Sequence, residues 1–129
     1  MSLEALCLAV AIFFESKGEP IKGQYAVAEV VLNRRDHPKQ YRDTVCGVVS
    51  EKGQFQWYKN QNHTKIPYLV RNKPELYTKH WETAKKVAND SLKNKTNHTK
   101  GALFFNTLNK GVRYKTKVQS VKIGNHVFY

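Results

Sequence analysis

The chain has 129 residues, a length typical of one domain built around a single hydrophobic core. Hydrophobic residues make up 40% of the sequence and aromatic residues 12%, which excludes wholesale disorder. The formal net charge of +12 favours contact with polyanions such as nucleic acid, anionic envelope polymers or acidic membranes, but does not distinguish among them. We therefore interpret residues 1–129 as one domain and look to the motifs for its function.

The N-terminal apolar run predicts a buried helix over residues 3–17. The run from Ala5 to Phe14 has only ten residues, too few to span a bilayer. Glu4 precedes it, no Lys or Arg does, and no small-residue cleavage site follows, which argues against a signal peptide. We expect a protein made in the cytoplasm, which would need separate release to act outside the cell.

Two further helices are predicted before residue 50. Gly18 suits the residue after the first helix, and Pro20 suits the first position of a second helix that runs to about Arg34. Asp43 or Thr44 can cap a short helix that contains Val45, Val48 and Val49. Residues 52–74 are predicted to be an irregular loop, and so many aromatic residues in a long loop indicate function.

The second half of the chain predicts one long helix and a small sheet. Apolar residues recur at helical spacing from Glu75 to about Lys93, and a polar link covers residues 94–100. Residues 102–105 are predicted as a strand, and residues 121–129 as a hairpin around Gly124-Asn125. Because helices lead and a small antiparallel sheet follows, the predicted fold class is α+β.

The cysteines and histidines show no pattern typical of a metal or redox site. Cys7 and Cys46 are expected to be two small buried side chains, and a bridge between them is the alternative. The five histidines are far apart, and the chain has no HExxH motif. No phosphate-binding glycine loop is present either, so we predict neither a metal nor a cofactor.

Glu15 is the residue whose setting most suggests catalysis. It follows Leu8, Ala11 and Ile12 on one helical stripe, which would face the core or a cleft. Burial and the nearby helix C-terminus both favour the protonated carboxyl, the state that a general acid needs. The alternative is that Glu15 caps a helix or pairs with a lysine.

Glu19 has the opposite setting and is the candidate for a second carboxylate. It comes just before Pro20 at a predicted helix N-terminus, where the helix dipole favours the ionised form. Two carboxyls whose pKa values are separated in this way resemble an acid and base pair. The alternative, which we favour, is that Glu19 only caps the helix.

Ordered blocks of sequence resemble the SleB-type cell wall hydrolases, the spore cortex-lytic enzyme family that also includes phage endolysins. The blocks are, in chain order, Cys7-Leu8-Ala9, Phe14-Glu15-Ser16-Lys17-Gly18-Glu19-Pro20, Gly23-Gln24, Ala26-Val27-Ala28, Val31-Leu32-Asn33-Arg34, Thr44-Val45-Cys46-Gly47-Val48-Val49, Gln54-Phe55-Gln56-Trp57, Gly101-Ala102-Leu103-Phe104-Phe105 and Ile123-Gly124-Asn125-His126-Val127-Phe128-Tyr129. Because they cover essentially the whole chain in order, the set is far more specific than any one block.

The resemblance implies a lysozyme-like, lytic transglycosylase-like α+β fold that cuts peptidoglycan between N-acetylmuramic acid and N-acetylglucosamine. The first Glu of the E-x-x-G-E-P block, the family's catalytic acid, is Glu15 here, and Ser16 resembles the partner in the Glu-Ser pair of lytic transglycosylases. The implied product is a 1,6-anhydro sugar, which requires only one essential carboxylate. A retaining hydrolase would need two carboxylates roughly 5 Å apart.

Aromatic and amide side chains are the candidates for holding the sugar. Gln54, Phe55 and Trp57 are favoured because sugars stack on aromatic rings and amides bond N-acetyl groups, although Phe55 and Trp57 could instead only anchor the loop. Phe105 and Asn106 are weaker candidates, and Asn106 stands where the family often has His. The resemblance implies peptidoglycan as the partner of a monomeric enzyme, used in phage lysis or wall remodelling after holin-type or external release.

Two other classes of function remain open from the sequence alone. The charge is compatible with a basic nucleic-acid-binding module, in which aromatics such as Trp57 and Tyr58 could stack bases. The chain has no RNP, zinc-finger or clear helix-turn-helix signature, and no dedicated nucleic-acid site is predicted. A catalytically inactive wall-binding domain is the third reading. Whether the protein cleaves the wall or only binds it, the lysine-rich surface would hold it on anionic cell-envelope polymers.

Overall fold

A computed structural model describes residues 1–37, 39–60 and 62–129 of the protein. The helices are α1 (Leu3–Ser16), α2 (Ile21–Arg35), α3 (Val45–Ser50), α4 (Gln56–Lys59), a 3-10 turn (Asn62–Lys65), α5 (Ile66–Asn72) and α6 (Pro74–Lys93). The strands are β1 (Phe105–Thr107), β2 (Val121–Ile123) and β3 (His126–Phe128). No helix within the described ranges is long and apolar enough to cross a membrane.

The three helices predicted in the first fifty residues are confirmed, although Pro20 is the N-cap of α2 rather than its first residue. The Ser2 hydroxyl accepts a hydrogen bond from the backbone N–H of Ala5 at 3.1 Å and so caps α1. Gly18 follows α1 with φ +81°, a left-handed conformation that glycine adopts at little cost. The Thr44 hydroxyl accepts from the Gly47 N–H at 3.0 Å, which selects Thr44 over Asp43 as the α3 cap.

The prediction that residues 52–74 form an irregular loop is wrong. The segment contains α4, the 3-10 turn and α5. Pro67 and Pro74 lie in the first turns of α5 and α6, where a missing N–H costs nothing. Both prolines therefore begin helices.

The sheet has the strand order β1-β3-β2, and both pairings are antiparallel. The hairpin around Gly124 is confirmed, but the first strand lies at Phe105–Thr107 rather than at residues 102–105. The carbonyl oxygens of Ala102 and Leu103 accept hydrogen bonds from the side chains of Asn33 and Arg34, at 2.9 and 2.8 Å. They are therefore occupied by α2 rather than by a neighbouring strand.

Buried Glu29 on α2 holds the polar link between α6 and the sheet. One carboxylate oxygen accepts from the Thr96 hydroxyl and the His98 N–H, and the other accepts from the N–H and the hydroxyl of Thr99. The Thr99 hydroxyl in turn accepts from the Ala102 N–H at 3.2 Å. Because a buried carboxylate requires such partners, the link is fixed to α2 without being part of a helix or strand.

The main hydrophobic core lies between α1, α2, α3 and α6, and a smaller cluster joins α2 to the sheet. Phe105 packs against both. Its ring stacks on Phe128 with centroids 5.8 Å apart. The sheet is thus packed on the same helix, α2, that forms part of the main core.

Cys7 and Cys46 form a disulfide, so the expectation of two separate buried cysteines is wrong. The bond joins α1 to α3, with the two Cα atoms 5.2 Å apart. Neither residue belongs to the fully buried core. The sequence position of Cys7 in an apolar run indicated burial but could not show that Cys46 lies opposite it.

Candidate active site

Glu15 lies one residue before the end of α1, and the side chain of Trp57 in α4 holds it in place. The indole N–H of Trp57 donates to the Glu15 carboxyl, with Nε1 and Oε1 2.9 Å apart. Burial raises the pKa of Glu15, and the Trp57 hydrogen bond and the charges of Arg34, Lys17 and Lys110 partly oppose the rise. The expected direction of the pKa shift is therefore confirmed, and the side chain keeps some exposure to solvent.

The Trp57 ring that holds Glu15 is itself fixed between two aromatic rings. Phe14 stacks on it with centroids 5.1 Å apart, and Phe55 stacks on it at 5.4 Å. Trp57 also contributes to an apolar groove of ≈ 580 Å³ that includes Val10 and Trp81. Phe55 and Trp57 are both more than nine-tenths buried, so the loop-anchoring alternative describes Phe55 well, while Trp57 also has a polar contact with Glu15.

Arg34 on α2 connects the two sides of the site. Its Nε donates to the Leu103 carbonyl at 2.8 Å, and its Nη1 donates to the Gln54 side-chain oxygen at 3.1 Å. The guanidinium lies against three aromatic rings, those of Tyr41, Phe55 and Phe104. Only 6% exposed, Arg34 brings Gln54 and the chain leading into β1 to one place and supplies a positive charge that acts on Glu15.

Replacing Arg34 should change the pH dependence of proton donation by Glu15. In Arg34→Met the pKa of Glu15 should rise further because an opposing charge is removed, so the alkaline limb of a pH–rate profile should move to higher pH. The loss of both hydrogen bonds should also lower kcat/KM about tenfold. Arg34→Lys keeps the charge, so its alkaline limb should lie at the wild-type pH. If the alkaline limbs of Arg34→Met and Arg34→Lys lay at the same pH, the electrostatic role of Arg34 would be contradicted.

Glu19 is bound to the β2–β3 hairpin. One oxygen accepts from the Asn125 backbone N–H and the other from the Asn125 side-chain amide, both at 2.8 Å, and Nδ1 of His126 is 3.3 Å from Oε1. Burial is the largest single influence and opposes ionisation, but these hydrogen bonds and the charge of His126 together outweigh it and lower the pKa of Glu19. The lowered pKa agrees in direction with the ionised state expected for Glu19, and the contacts that lower it come from the hairpin. Its oxygens are already engaged, which leaves the second-carboxylate role without structural support.

Replacing Glu19 should affect stability in a pH-dependent way. A lowered folded-state pKa means that the ionised carboxylate stabilises the fold above pH about 4.5, and that this contribution is lost as the pH falls through the lower folded pKa. Glu19→Gln should therefore lower the free energy of unfolding by about 1 to 2 kcal/mol at pH 7 and by less at pH 3. Urea titrations at both pH values measure it, and a loss independent of pH would contradict the ionic contribution.

Phe105 and Asn106 occupy the sheet side and are engaged within the protein. Phe105 packs into both hydrophobic clusters. The Asn106 amide donates to the Gly111 carbonyl at 3.1 Å and to the Tyr129 hydroxyl at 3.0 Å. Asn106 thereby fixes the start of the segment after β1, and neither residue contacts Glu15 through a hydrogen bond in the described chain.

Neither Arg34 nor Lys110 was predicted from the sequence to be a functional residue. Arg34 could have been identified from its spacing, because it follows Val30 and Val31 by four and three positions on the apolar face of α2. Nothing local to Lys110 indicates that the segment after β1 brings its charge near Glu15. Within the described residues no group of three or more His, Cys, Asp or Glu side chains could hold a metal ion.

This fold is similar to that of two solved catalytic domains. The catalytic domain of the germination-specific lytic transglycosylase SleB from Bacillus anthracis matches with a TM-score of 0.69 and 29% identity, covering 99% of this chain and 95% of that one. The catalytic domain of Bacillus cereus SleB matches with a TM-score of 0.67 and 28% identity, over 99% and 91% of the two chains. The expected helix-rich, lysozyme-like α+β fold is thus confirmed.

Sequence comparison leads to the family. The cell wall hydrolase family model matches residues 18–129, beginning just after Glu15. The spore cortex-lytic enzyme of Bacillus cereus is 36% identical over 123 residues, covering 94% of this chain and 42% of the relative. That of Halalkalibacterium halodurans is 29% identical over 123 residues, covering 94% and 33%. The chain belongs to the cell wall hydrolase family and spans less than half the length of these relatives.

Proposed function

We propose that this protein cleaves the glycan strands of peptidoglycan between N-acetylmuramic acid and N-acetylglucosamine, as a lytic transglycosylase. The observation that supports this most directly is the half-buried Glu15 carboxyl, whose pKa is raised and which Trp57 holds, in a fold similar to that of a lytic transglycosylase catalytic domain. A raised pKa increases the protonated fraction of the carboxyl at a given pH, and the protonated form can donate a proton to a leaving oxygen. We further propose that residues 1–129 act as one catalytic domain.

The proposed reaction uses Glu15 twice. The protonated carboxyl donates its proton to the glycosidic oxygen as the bond from that oxygen to the muramyl anomeric carbon breaks. The resulting carboxylate then accepts the proton of the muramyl 6-hydroxyl as that oxygen bonds to the anomeric carbon, leaving a 1,6-anhydro product and a regenerated acid. Trp57 keeps the carboxyl oriented through both steps, and Arg34 favours the transient carboxylate by its charge.

Hydrolysis is the alternative outcome at the same bond. A retaining hydrolase would need a second carboxylate about 5 Å from Glu15. Glu19 is the sequence candidate, and its two oxygens are instead engaged by Asn125. This difference favours the transglycosylase, with the exposed Gln54 as a sugar contact and the buried Trp57 as the residue that positions Glu15.

Mass spectrometry of digested peptidoglycan tests the proposal. A 1,6-anhydromuramic acid end supports the transglycosylase, and a reducing muramic acid end shows a hydrolase. Binding to walls without cleavage would support the inactive wall-binding domain. Binding to DNA without binding to walls would support the nucleic-acid module.

We also propose that the enzyme acts at the bacterial wall as a monomer, after holin-type or external release, and that its charge holds it on anionic envelope polymers. The net charge of +12 would be screened as salt rises, since the Debye length falls from about 10 Å at 0.1 M to about 3 Å at 1 M. Lytic activity on whole walls should therefore fall as ionic strength is raised toward about 0.5 M. Activity on short soluble glycans provides the control, and an equal fall on both would contradict polymer anchoring.

A further inference from the structure

The connection between β1 and β2, residues 108–120, forms a positively charged surface beside the candidate active site; we call it the cationic arm. It carries Lys110, Arg113, Lys115 and Lys117 and no acidic residue. All four cations are exposed, and within the described chain none of them forms an ion pair with a carboxylate.

The arm is fixed at its base. The Leu108 N–H donates to the Asn125 carbonyl at 3.0 Å, and the Gly111 carbonyl accepts from the Asn106 amide. The Tyr114 ring packs on Phe104 with centroids 5.0 Å apart. Val118 packs on the cluster between α2 and the sheet. The charged side chains are therefore presented from an anchored segment.

Two observations place the arm beside Glu15. Leu108, the first residue of the arm, donates its N–H to the Asn125 carbonyl, and the Asn125 N–H donates to Glu19, four positions after Glu15. The effect of the Lys110 charge, which lowers the pKa of Glu15, agrees with this position. Tyr114 also packs on Phe104, and the Phe104 ring lies against Arg34. Arg34 lies in turn against Phe55, which stacks on the Trp57 ring that is hydrogen-bonded to Glu15. An anionic group attached to a sugar at Glu15 would lie within reach of the arm.

We propose that the cationic arm binds the free carboxylates of the stem peptide, the short peptide attached to muramic acid in peptidoglycan. The enzyme would then prefer glycans whose stem carboxylates are free over glycans whose stem carboxylates are amidated. This rests on the proposed function, which places a muramic acid residue, the sugar that bears the stem, next to Glu15. Exposed lysines and arginine gain little individually from an anion, but several acting on one flexible anionic chain add up. The arm contributes to substrate choice rather than to the bond-breaking step.

The test measures binding of soluble glycan fragments, with free or amidated stem carboxylates, to Glu15→Gln protein by calorimetry. Because this protein is not expected to cleave, binding is read without turnover. The Glu15→Gln protein should bind fragments with free stem carboxylates about tenfold more tightly than amidated fragments, as expected for a few exposed ion pairs. When Arg113→Gln, Lys115→Gln and Lys117→Gln are added to the Glu15→Gln protein, the ratio of the two affinities should fall to about one. Lys110 is left in place so that the field at Glu15 is unchanged.

A matched variant removes the same number of charges elsewhere. Lys73→Gln, Lys79→Gln and Lys93→Gln alter exposed lysines of α6 and its first cap, and this protein should keep the tenfold preference. Equal loss in both triple variants, or no loss in either, would overturn the proposal. Competition by polyglycerol phosphate as strong as that by free stems would assign the arm to a phosphate polymer instead. Failure of wild-type protein to cleave either glycan would refute the proposed function, while the binding ratios would still decide the arm.

Discussion

Replacing Glu15 with Gln should reduce wall-lytic activity by about a thousandfold while the fold is retained. The amide cannot supply the proton that the glycosidic oxygen requires. Its oxygen can still accept the hydrogen bond from Trp57 Nε1, so the stacked Phe14, Trp57 and Phe55 rings should stay in place. The measurements are the initial rate of clearing of a peptidoglycan suspension and the melting temperature of each protein.

A matched change outside the site controls for the loss of one negative charge. Glu75 is exposed in the first turn of α6, and Glu75→Gln should clear walls at the wild-type rate. Wild-type activity should also fall as the pH rises through the raised pKa of Glu15, because the acid form is consumed. If Glu15→Gln cleared walls as fast as the wild type, the proton would have to come from another group.

Removing the disulfide should give the largest loss of stability. Cys7 and Cys46 are 39 positions apart, and closing a loop of that length restricts the unfolded chain by about 3 to 4 kcal/mol. In Cys7→Ala/Cys46→Ala the melting temperature should fall by about 10 °C. Thermal unfolding monitored by circular dichroism measures this.

Reductant provides the control for that experiment. It should destabilise the wild type by a similar amount and leave the double variant unchanged, because only the wild type has a bond to reduce. Glu4 also ties the same two helices, since its carboxylate accepts from the Val45 N–H at 2.6 Å, so α1 and α3 should remain associated without the bond. A double variant as stable as the oxidised wild type would contradict a stabilising role.

Local signals in the sequence predicted most of the helices. Ser2 and Thr44 cap helices through their own side chains, and Gly18 follows α1 in a conformation that glycine favours, so these boundaries depend on neighbouring residues only. The hairpin around Gly124 was predictable for the same reason. Residues 52–74 were not, because Pro67 and Pro74 have the same identity whether they end a helix or begin one.

The candidate site was predictable in part. The apolar stripe before Glu15 predicted its raised pKa, because the cause is burial of α1. The Trp57 hydrogen bond, the Arg34 contacts and the Cys7–Cys46 bond join residues from about 20 to 70 positions apart. Such pairs depend on how the helices pack, which hydrophobic periodicity does not specify.

The attachment of the polar link, residues 94–100, to α2 affects how a glycan strand can move through the site. Glu29, Asn33 and Arg34 hold the chain from residue 96 to 103 through side chains of one helix, so the sheet and helices should move as a rigid unit. Hinge closure of the enzyme around its substrate would have to break several buried hydrogen bonds. We therefore expect successive cuts to depend on diffusion of the glycan strand past a site of fixed width, with no opening and closing cycle between them.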